Sequence, residues 1–553
     1  MNGPLTGIPV GGGSASGPVA RMAPPPALPA PAAVTDPEAE AAAVREALAG
    51  VVADLARRAA DAAGPAAVVL TAQSMMAADP VLADRAAELV AQGRDGARAL
   101  AGAFDGFRDA LHAAGGYFAE RAADLDDLCD RAIARLLGLP VPGLPDPGHP
   151  YVLVADDLAP ADTALLDPAR VLALVTVRGG PTSHTAILAK ALGLPAVVGC
   201  AGAAELRDGR PVLVHGAEGL VELDPTAEAV REAAAREQLR RERVRAVRGP
   251  GRTADGHPVG LLVNLGALTE LPGAAAADAE GVGLFRTEFL YLDRAEAPGL
   301  DEQTAAYRQV FDAFPGRRVV VRTLDAGADK PLPFATAADE ENPALGIRGL
   351  RTAARDPQLL ETQLAAIAAA AASSGAEVWV MAPMVSVPHE AEQFAARVRA
   401  HGLPLAGAMV EVPAAALRAD RLAGVCDFLS IGTNDLAQYT FAADRTLGAL
   451  ADLLDPWQPA LLELVATTAR AAAAHGKPAG VCGEAASDPA LALVLVGLGV
   501  TSLSTAPSCL PEVRAALAAH TLQECGDLAG LALSAPDAAT ARALVRGAVG
   551  AAG

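Results

Sequence analysis

Two groups of residues in this chain could do chemistry. The first is Gly179-Gly180-Pro181-Thr182-Ser183-His184-Thr185-Ala186, running into AILAKALGLPAVVG. An apolar strand at 171–177 leads into a Gly-Gly turn, and Thr182 or Ser183 can then cap a helix that contains or closely follows His184. Amide N–H groups at a helix start attract anions, so a phosphate carried on this imidazole would be stabilised there. The other eight histidines (112, 149, 215, 257, 389, 401, 475 and 520) have no comparable setting. The second group is spread over the C-terminal half: Arg286 in GVGLFRTEFLYLDR, Arg322 in VVVRTLDAGADK, Arg348 in ENPALGIRGLR, Glu411 in AMVEVP, Asn434 and Asp435 in SIGTNDLAQY, Arg445 just beyond, and Cys482 in GVCGE. Arginine pairs bidentately with phosphate and carboxylate and stays charged. Glu411 and Asp435 offer hard oxygens of the kind Mg²⁺ takes. Four arginines and two carboxylates on one rim would suit a small, highly anionic ligand with a divalent ion.

Elements must bring these residues together. From residue 256 onward, eight apolar strand candidates alternate with helical patterns, at 258–264, 281–285, 318–323, 377–383, 405–411, 426–431, 478–482 and 500–504. Eight β/α units in one stretch predict a closed (β/α)₈ barrel, whose active-site groups sit at the C-terminal strand ends. The residues of the second group fall at those ends or just after them. Residues 151–224 alternate short apolar strands with helices or turns, an α/β pattern. Residues 36–139 are helical in period, preceded by a Pro/Ala linker at 23–35 and followed by a Pro/Gly linker at 140–150. Residues 1–20 are Gly-rich and could supply an isolated strand. Thr226 to Arg248 is a highly charged helix without a broad apolar stripe, the pattern of a connector between domains.

Composition narrows the function classes. The chain has 553 residues, 52% of them hydrophobic, enough for several domains. Its formal charge is −21, from 44 Lys and Arg against 65 Asp and Glu, which argues against a nucleic-acid partner. Between residues 36 and 136 there are 17 acidic side chains against 10 Arg and no Lys, a net of −7, so a basic protein could dock on that helical stretch. The six cysteines show no CxxC pair, as expected of reduced thiols in a cytoplasm. No signal peptide is visible. The uncharged run 489–511 contains Gly497, Gly499 and Pro507 and reads as buried helix and strand rather than as a membrane span.

The strings GGPTSHTAILAKALGLPAVVG, GVGLFRTEFLYLDR, EENPALGIRGLR, SIGTNDLAQYT and GVCGE, in this order, closely resemble enzyme I of the phosphoenolpyruvate:sugar phosphotransferase system. The resemblance runs over nearly the whole chain. It implies a multidomain α/β fold: a swivelling α/β phosphohistidine domain with an inserted helical bundle, followed by a C-terminal (β/α)₈ TIM barrel. The segments would be an N-terminal strand region (1–22), a helical subdomain docking the phosphocarrier HPr (30–143), the phosphohistidine domain (145–225), a connecting helix (226–250), and the phosphoenolpyruvate-binding, dimerising barrel (255–553). By the same resemblance His184 accepts phosphate on Nε2. Arg286, Arg322 and Arg445 hold phosphoenolpyruvate, Arg348 adds a phosphate contact, and Asn434 with Asp435 bind the ligand. Glu411 and Asp435 ligate Mg²⁺, and Cys482 protonates the enolate. Thr163 matches a threonine near the phosphohistidine. The expected enzyme is a homodimeric cytoplasmic phosphotransferase that moves phosphate from phosphoenolpyruvate to His184 and on to HPr. Pro181, Ala326 and Ala328 depart from the usual pattern. Nucleotide-dependent relatives, phosphoenolpyruvate synthase and pyruvate phosphate dikinase, carry an ATP-binding module ahead of the histidine; the 183 residues before His184 show no P-loop.

Overall fold

The computed structural model describes residues 3–10, 12–61, 65–114, 122–158, 166–180, 184–292, 294–326, 332–336, 340, 342–445 and 447–552. The chain divides into two compact units, 1–237 and 238–553, and the division falls inside the helix Ala227–Ala246.

The first unit contains an eight-stranded sheet and a set of helices. Its sheet runs in the order Leu5–Thr6, Leu220–Leu223, Pro211–His215, Ser14–Arg21, Tyr151–Ala155, Val171–Thr176, Ala196–Val198 and Ile8–Pro9. The N-terminal strand is thus not isolated. Ser14–Arg21 lies in the middle of the sheet, antiparallel to Pro211–His215 on one side and parallel to Tyr151–Ala155 on the other. Tyr151–Ala155 is buried at every position, which explains why it reads as an unbroken apolar run rather than an alternating one.

The helical stretch forms Pro37–Asp61, Pro65–Ala77, Pro80–Ala91, Gly96–Ala114 and Ala122–Leu136. Proline opens three of these, where its fixed φ is pre-set for a first turn and its missing N–H costs nothing. Asp79 caps the third by accepting from the Val81 N–H at 2.9 Å. Val44, Leu48, Val51 and Leu55 recur at helical spacing on the first helix and are buried against Leu100, Phe104, Leu128 and Ile133. The acidic surplus is spread over the helices, and Ala122–Leu136 carries four Asp against two Arg. There Asp126 pairs with Arg108 at 2.6 Å and Asp127 with Arg131 at 2.7 Å. Burial, with the charges of Asp127 and Asp126, pushes the neighbouring Asp130 carboxyl up to about 6.

That shift has a sign. A carboxyl that binds its proton more tightly folded than unfolded loses stability for the fold as pH rises from about 4 through 6. Asp130→Asn should therefore stabilise the fold at pH 7 by up to ~2 kcal/mol, the group being only partly buried, raise the thermal midpoint accordingly, and flatten the pH dependence over that window. Melting curves of both proteins at pH 4.5 and pH 7 check this.

The second unit is a closed barrel of eight parallel strands: Gly260–Leu265, Gly281–Phe285, Arg318–Arg322, Glu377–Ala382, Ala406–Val410, Phe428–Ile431, Ala479–Val481 and Ser502–Thr505, the last pairing with the first. All eight strands expected from the apolar runs are present, most of them one or two residues shorter. Leu284, Val320, Met381, Met409, Phe428 and Cys482 fill the barrel interior, and Trp379 packs against Phe428 with ring centroids 4.8 Å apart and planes tilted by 50°. Residues 489–511 form the buried helix Pro489–Gly497 and the strand Ser502–Thr505. Among the described residues no helix is long and apolar enough to cross a membrane.

Candidate active site

Every rim residue expected from the sequence lines one cavity of about 110 Å³: Arg286, Arg322, Arg348, Glu411, Asn434, Asp435, Arg445 and Cys482. Their placement follows from the strands. Arg322 ends its strand; Arg286, Glu411 and Cys482 stand one residue past theirs. Asn434 and Asp435 occupy the first turn of the helix Thr433–Phe441, directly after Phe428–Ile431. A buried glutamine locks two of these ends together. Gln363, from the helix Pro357–Ala372, donates to Thr287 Oγ1 at 3.1 Å and accepts from the Leu324 N–H at 2.9 Å, while Thr287 donates to the Arg322 carbonyl at 2.9 Å.

The four arginines are not equivalent. Arg286 is exposed and makes no ion pair among the described residues. Arg445 is half-exposed, 3.6 Å from Asp435. Arg322 is buried, bound at 3.1 Å to Glu288 and at 3.2 Å to Asp325, while its Nε is buried without a partner. Arg348 is buried and has a bond for each of its five N–H groups. Nε and Nη2 donate to Asp325 at 3.0 Å each. Nη1 and Nη2 donate to Asp435 at 2.8 and 3.1 Å, and Nη1 also reaches the Tyr439 hydroxyl at 3.2 Å. Burial works against charge on Arg322 and Arg348, but the surrounding carboxylates outweigh it and keep both protonated.

Two carboxylates of this cavity escape a reading confined to strand ends. Glu288 lies in a short 3₁₀ turn two residues past Arg286, and Asp325 lies three past Arg322. An acidic residue close behind each strand-end arginine was the available signal. With them the cavity carries four arginines and four carboxylates instead of four and two.

Glu411 is 1% exposed and accepts a 2.6 Å hydrogen bond from the Met384 N–H. Met384 is held at φ 57°, a left-handed conformation rare for a non-glycine residue, and the strain aims its amide at the carboxylate. Gly349, at φ 60°, lies against Met384 and Asp325, where any Cβ would crowd both side chains. Burial and the nearby charges of Asp325 and Asp435 push the Glu411 carboxyl up. Burial would raise Asp435 too, but Arg348 and Arg445 overcome it and hold that carboxyl below the usual range. A carboxylate strained by its own kind is one that a cation relieves. Mg²⁺ commonly takes one or two carboxylates plus water and phosphate oxygens, so Glu411 and Asp435 fit it as a donor set. Among the described residues no group of three or more His, Cys, Asp and Glu is arranged to hold a metal.

Cys482 is 3% exposed, and burial pushes its thiol up. Ser430 donates to its Sγ at 3.4 Å. Asn434 Oδ1 accepts from the Glu484 N–H at 3.2 Å, fixing the amide beside it.

In the first unit, Gly179 adopts φ 103° after the strand Val171–Thr176, so the Gly-Gly turn forms, and His184 is the first residue of the helix His184–Leu192. Thr185 donates to Asp157 at 2.9 Å. Pro181, Thr182, Ser183, Ala328, Thr163 and the side chain of His184 lie outside the described residues.

Sequence comparison agrees with this arrangement. Residues 6–121 match the PEP-utilising enzyme N-terminal family, 147–219 the PEP-utilising enzyme mobile domain, and 240–522 the PEP-utilising enzyme PEP-binding domain. A phosphoenolpyruvate-protein phosphotransferase of Streptomyces coelicolor is 54% identical over 544 residues, covering 97% of this chain and 98% of its own. The chain belongs to the enzyme I family of PEP-utilising enzymes. A second enzyme I relative, the phosphoenolpyruvate-protein phosphotransferase of Haloferax volcanii, is 42% identical over 485 residues, 85% of each chain. An NMR solution structure of Enzyme I (nEIt) is 29% identical, covering 42% of this chain and 98% of its own, with a TM-score of 0.38. For a member of the enzyme I family, the histidine helix belongs to the segment matched as the mobile domain, and the cavity to the segment matched as PEP-binding.

Proposed function

We propose that the chain is a phosphoenolpyruvate-protein phosphotransferase. It moves the phosphoryl group of phosphoenolpyruvate to its own His184 and then to a histidine of HPr, releases pyruvate, and thereby begins the sugar phosphotransferase system. The observation that carries this reading is the single cavity in which Arg286, Arg322 and Arg445 meet Glu411, Asp435 and a buried, protonated Cys482.

The chemistry is two phosphoryl transfers, in which positioning and charge neutralisation do most of the catalysis. Exposed Arg286 and half-exposed Arg445 capture the trianion at the mouth. Arg322, which lines the cavity and whose buried Nε has no partner, takes the deeper phosphate or carboxylate oxygens. Asn434 orients the ligand. Glu411 and Asp435 would hold Mg²⁺, which supplies positive charge to the transferring oxygens. Neutral His184 attacks phosphorus through Nε2; the P–O bond to the enol breaks as the N–P bond forms. Cys482 then gives its proton to C3 of the enolate, yielding pyruvate and a thiolate that solvent reprotonates. Thr163 supports the phosphohistidine. Arg348 enters as a phosphate contact once it releases one of its carboxylates.

The remaining assignments rest on charge and on the family. The acidic helical segment 30–143 presents the docking surface for basic HPr. The N-terminal strand region 1–22 and the segment 145–225 form the phosphohistidine domain, 226–250 is the hinge by which it moves, and the barrel 255–553 forms the homodimer in the cytoplasm.

Incubation with radiolabelled phosphoenolpyruvate and Mg²⁺ should give an acid-labile, base-stable label on the protein, which HPr then removes. A label absent, or stable to acid, defeats the reading.

A further inference from the structure

Asp325 has no part in the mechanism above, yet it is the carboxylate that touches both buried arginines. Its side chain is 2% exposed. It receives two bonds from Arg348 at 3.0 Å and one from Arg322 at 3.2 Å, and its own N–H donates to Glu288 at 3.1 Å. Arg348 is thereby saturated. A phosphoryl oxygen that approaches Arg348 must displace a partner: the Tyr439 hydroxyl, which holds one donor, or one of the two carboxylates, Asp325 and Asp435. Asp435 is the one assigned to the metal and the one also neutralised by Arg445. Asp325 is therefore the displaceable anion.

We propose that Asp325 is a positioning residue that competes with the substrate's phosphoryl group for Arg322 and Arg348. The inference deepens the phosphotransferase reading and rests on it. Physically, Asp325 does two things. It holds two long side chains in one geometry before the ligand arrives, so that little rotamer entropy remains to be lost. It also offsets their charge, so that ground-state binding of any phosphate stays weak. Binding substrate and transition state equally tightly lowers KM without raising kcat. An internal competitor whose bonds are exchanged for those of the transferring group keeps the anion from becoming trapped. The cavity's four carboxylates against four arginines are what such a device needs, whereas two carboxylates against four arginines would hold phosphate tightly in the ground state.

The test compares the full-length chain with Asp325→Asn, which keeps the shape and removes the charge. Inorganic phosphate binding by titration calorimetry should tighten about tenfold, because two buried guanidiniums lose an adjacent charge. KM for phosphoenolpyruvate should fall, and kcat should fall with it. A residue that merely braced the fold would weaken binding instead. Asp325→Glu should restore wild-type phosphate affinity. Phosphate binding that is unchanged or weaker in Asp325→Asn, with its melting temperature preserved, overturns the proposal, as does phosphate binding too weak to detect in both proteins. Should Asp325→Asn fail to fold, Glu288→Gln decides: it relieves Arg322 alone and should tighten phosphate by a smaller factor, and no gain there overturns the proposal. Absence of any label from phosphoenolpyruvate in the wild-type chain is a separate result, which removes the phosphotransferase reading and leaves the calorimetry to judge the competition.

Discussion

His184→Ala takes no label from phosphoenolpyruvate, and its phosphoenolpyruvate affinity stays within about twofold of wild type. Both halves of this expectation come from where the residues lie in the chain. His184 starts a helix in the unit 1–237, while Arg286, Arg322, Glu411 and Asp435 line a cavity built wholly from the unit 238–553. Removing the acceptor takes away the nucleophile and leaves the ligand's arginines untouched. No neighbouring side chain can replace it: the flanking hydroxyls of Ser183 and Thr185 are far weaker nucleophiles at neutral pH, and Thr185 is committed to Asp157. The loss of labelling should therefore be complete rather than partial. Titration calorimetry and acid-lability of the label, read side by side, separate the two halves. A label that survives the substitution places the phosphate elsewhere. A label lost together with phosphoenolpyruvate binding shows that the histidine forms part of the donor site and that the two units do not act in succession.

Much of this arrangement was legible because of how parallel strands are buried. A strand covered on both faces cannot alternate, so the barrel strands read as short apolar runs, and at four of them the residue at the end or one past it lines the cavity: Arg286, Arg322, Glu411 and Cys482. Arg322 after VVV and Glu411 after AMV are the plainest cases. What did not show was partnership. Sequence spacing cannot tell that Arg348, on a long connection, turns four of its five donors onto Asp325 and Asp435, because those contacts span 23 and 87 residues. Met384 gave no warning either, since nothing in a methionine marks a left-handed backbone; the conformation is imposed by the packing of Gly349 and the acceptor on Glu411. In the first unit, the strand Leu220–Leu223 follows a tight turn at Gly219 and pairs with Pro211–His215. The central position of Ser14–Arg21 rests on pairing with residues almost 200 positions away, which no local pattern encodes.

Cys482→Ala should lower pyruvate formation by ~10²–10⁴, the usual range for a lost general acid, while phosphoenolpyruvate binding stays close to wild type. The thiol is buried among Leu284, Val320, Met381, Met409 and Phe428, and removal of so few atoms leaves the arginines and carboxylates in place. Burial raises it, Glu411 raises it further, and Ser430, Arg322 and Arg286 pull it down; the outcome is a thiol above its ordinary value. The working form is the protonated one. Activity that depends on it is full at neutral pH and falls as pH rises through the raised value, so the wild-type profile should have an alkaline limb that Cys482→Ala lacks. Stereochemistry gives an independent check that a packing defect could not mimic. On the role proposed for it, a thiol fixed in the cavity wall adds its proton to one face of C3, so substrate deuterated and tritiated at C3 should yield pyruvate with a chiral methyl group. With alanine, water protonates the released enolate from either face and the product is racemic at that carbon. Retention of a chiral product in Cys482→Ala would mean that another fixed donor does the work. Glu411, raised by burial and by Asp325 and Asp435, would then be the group to substitute next.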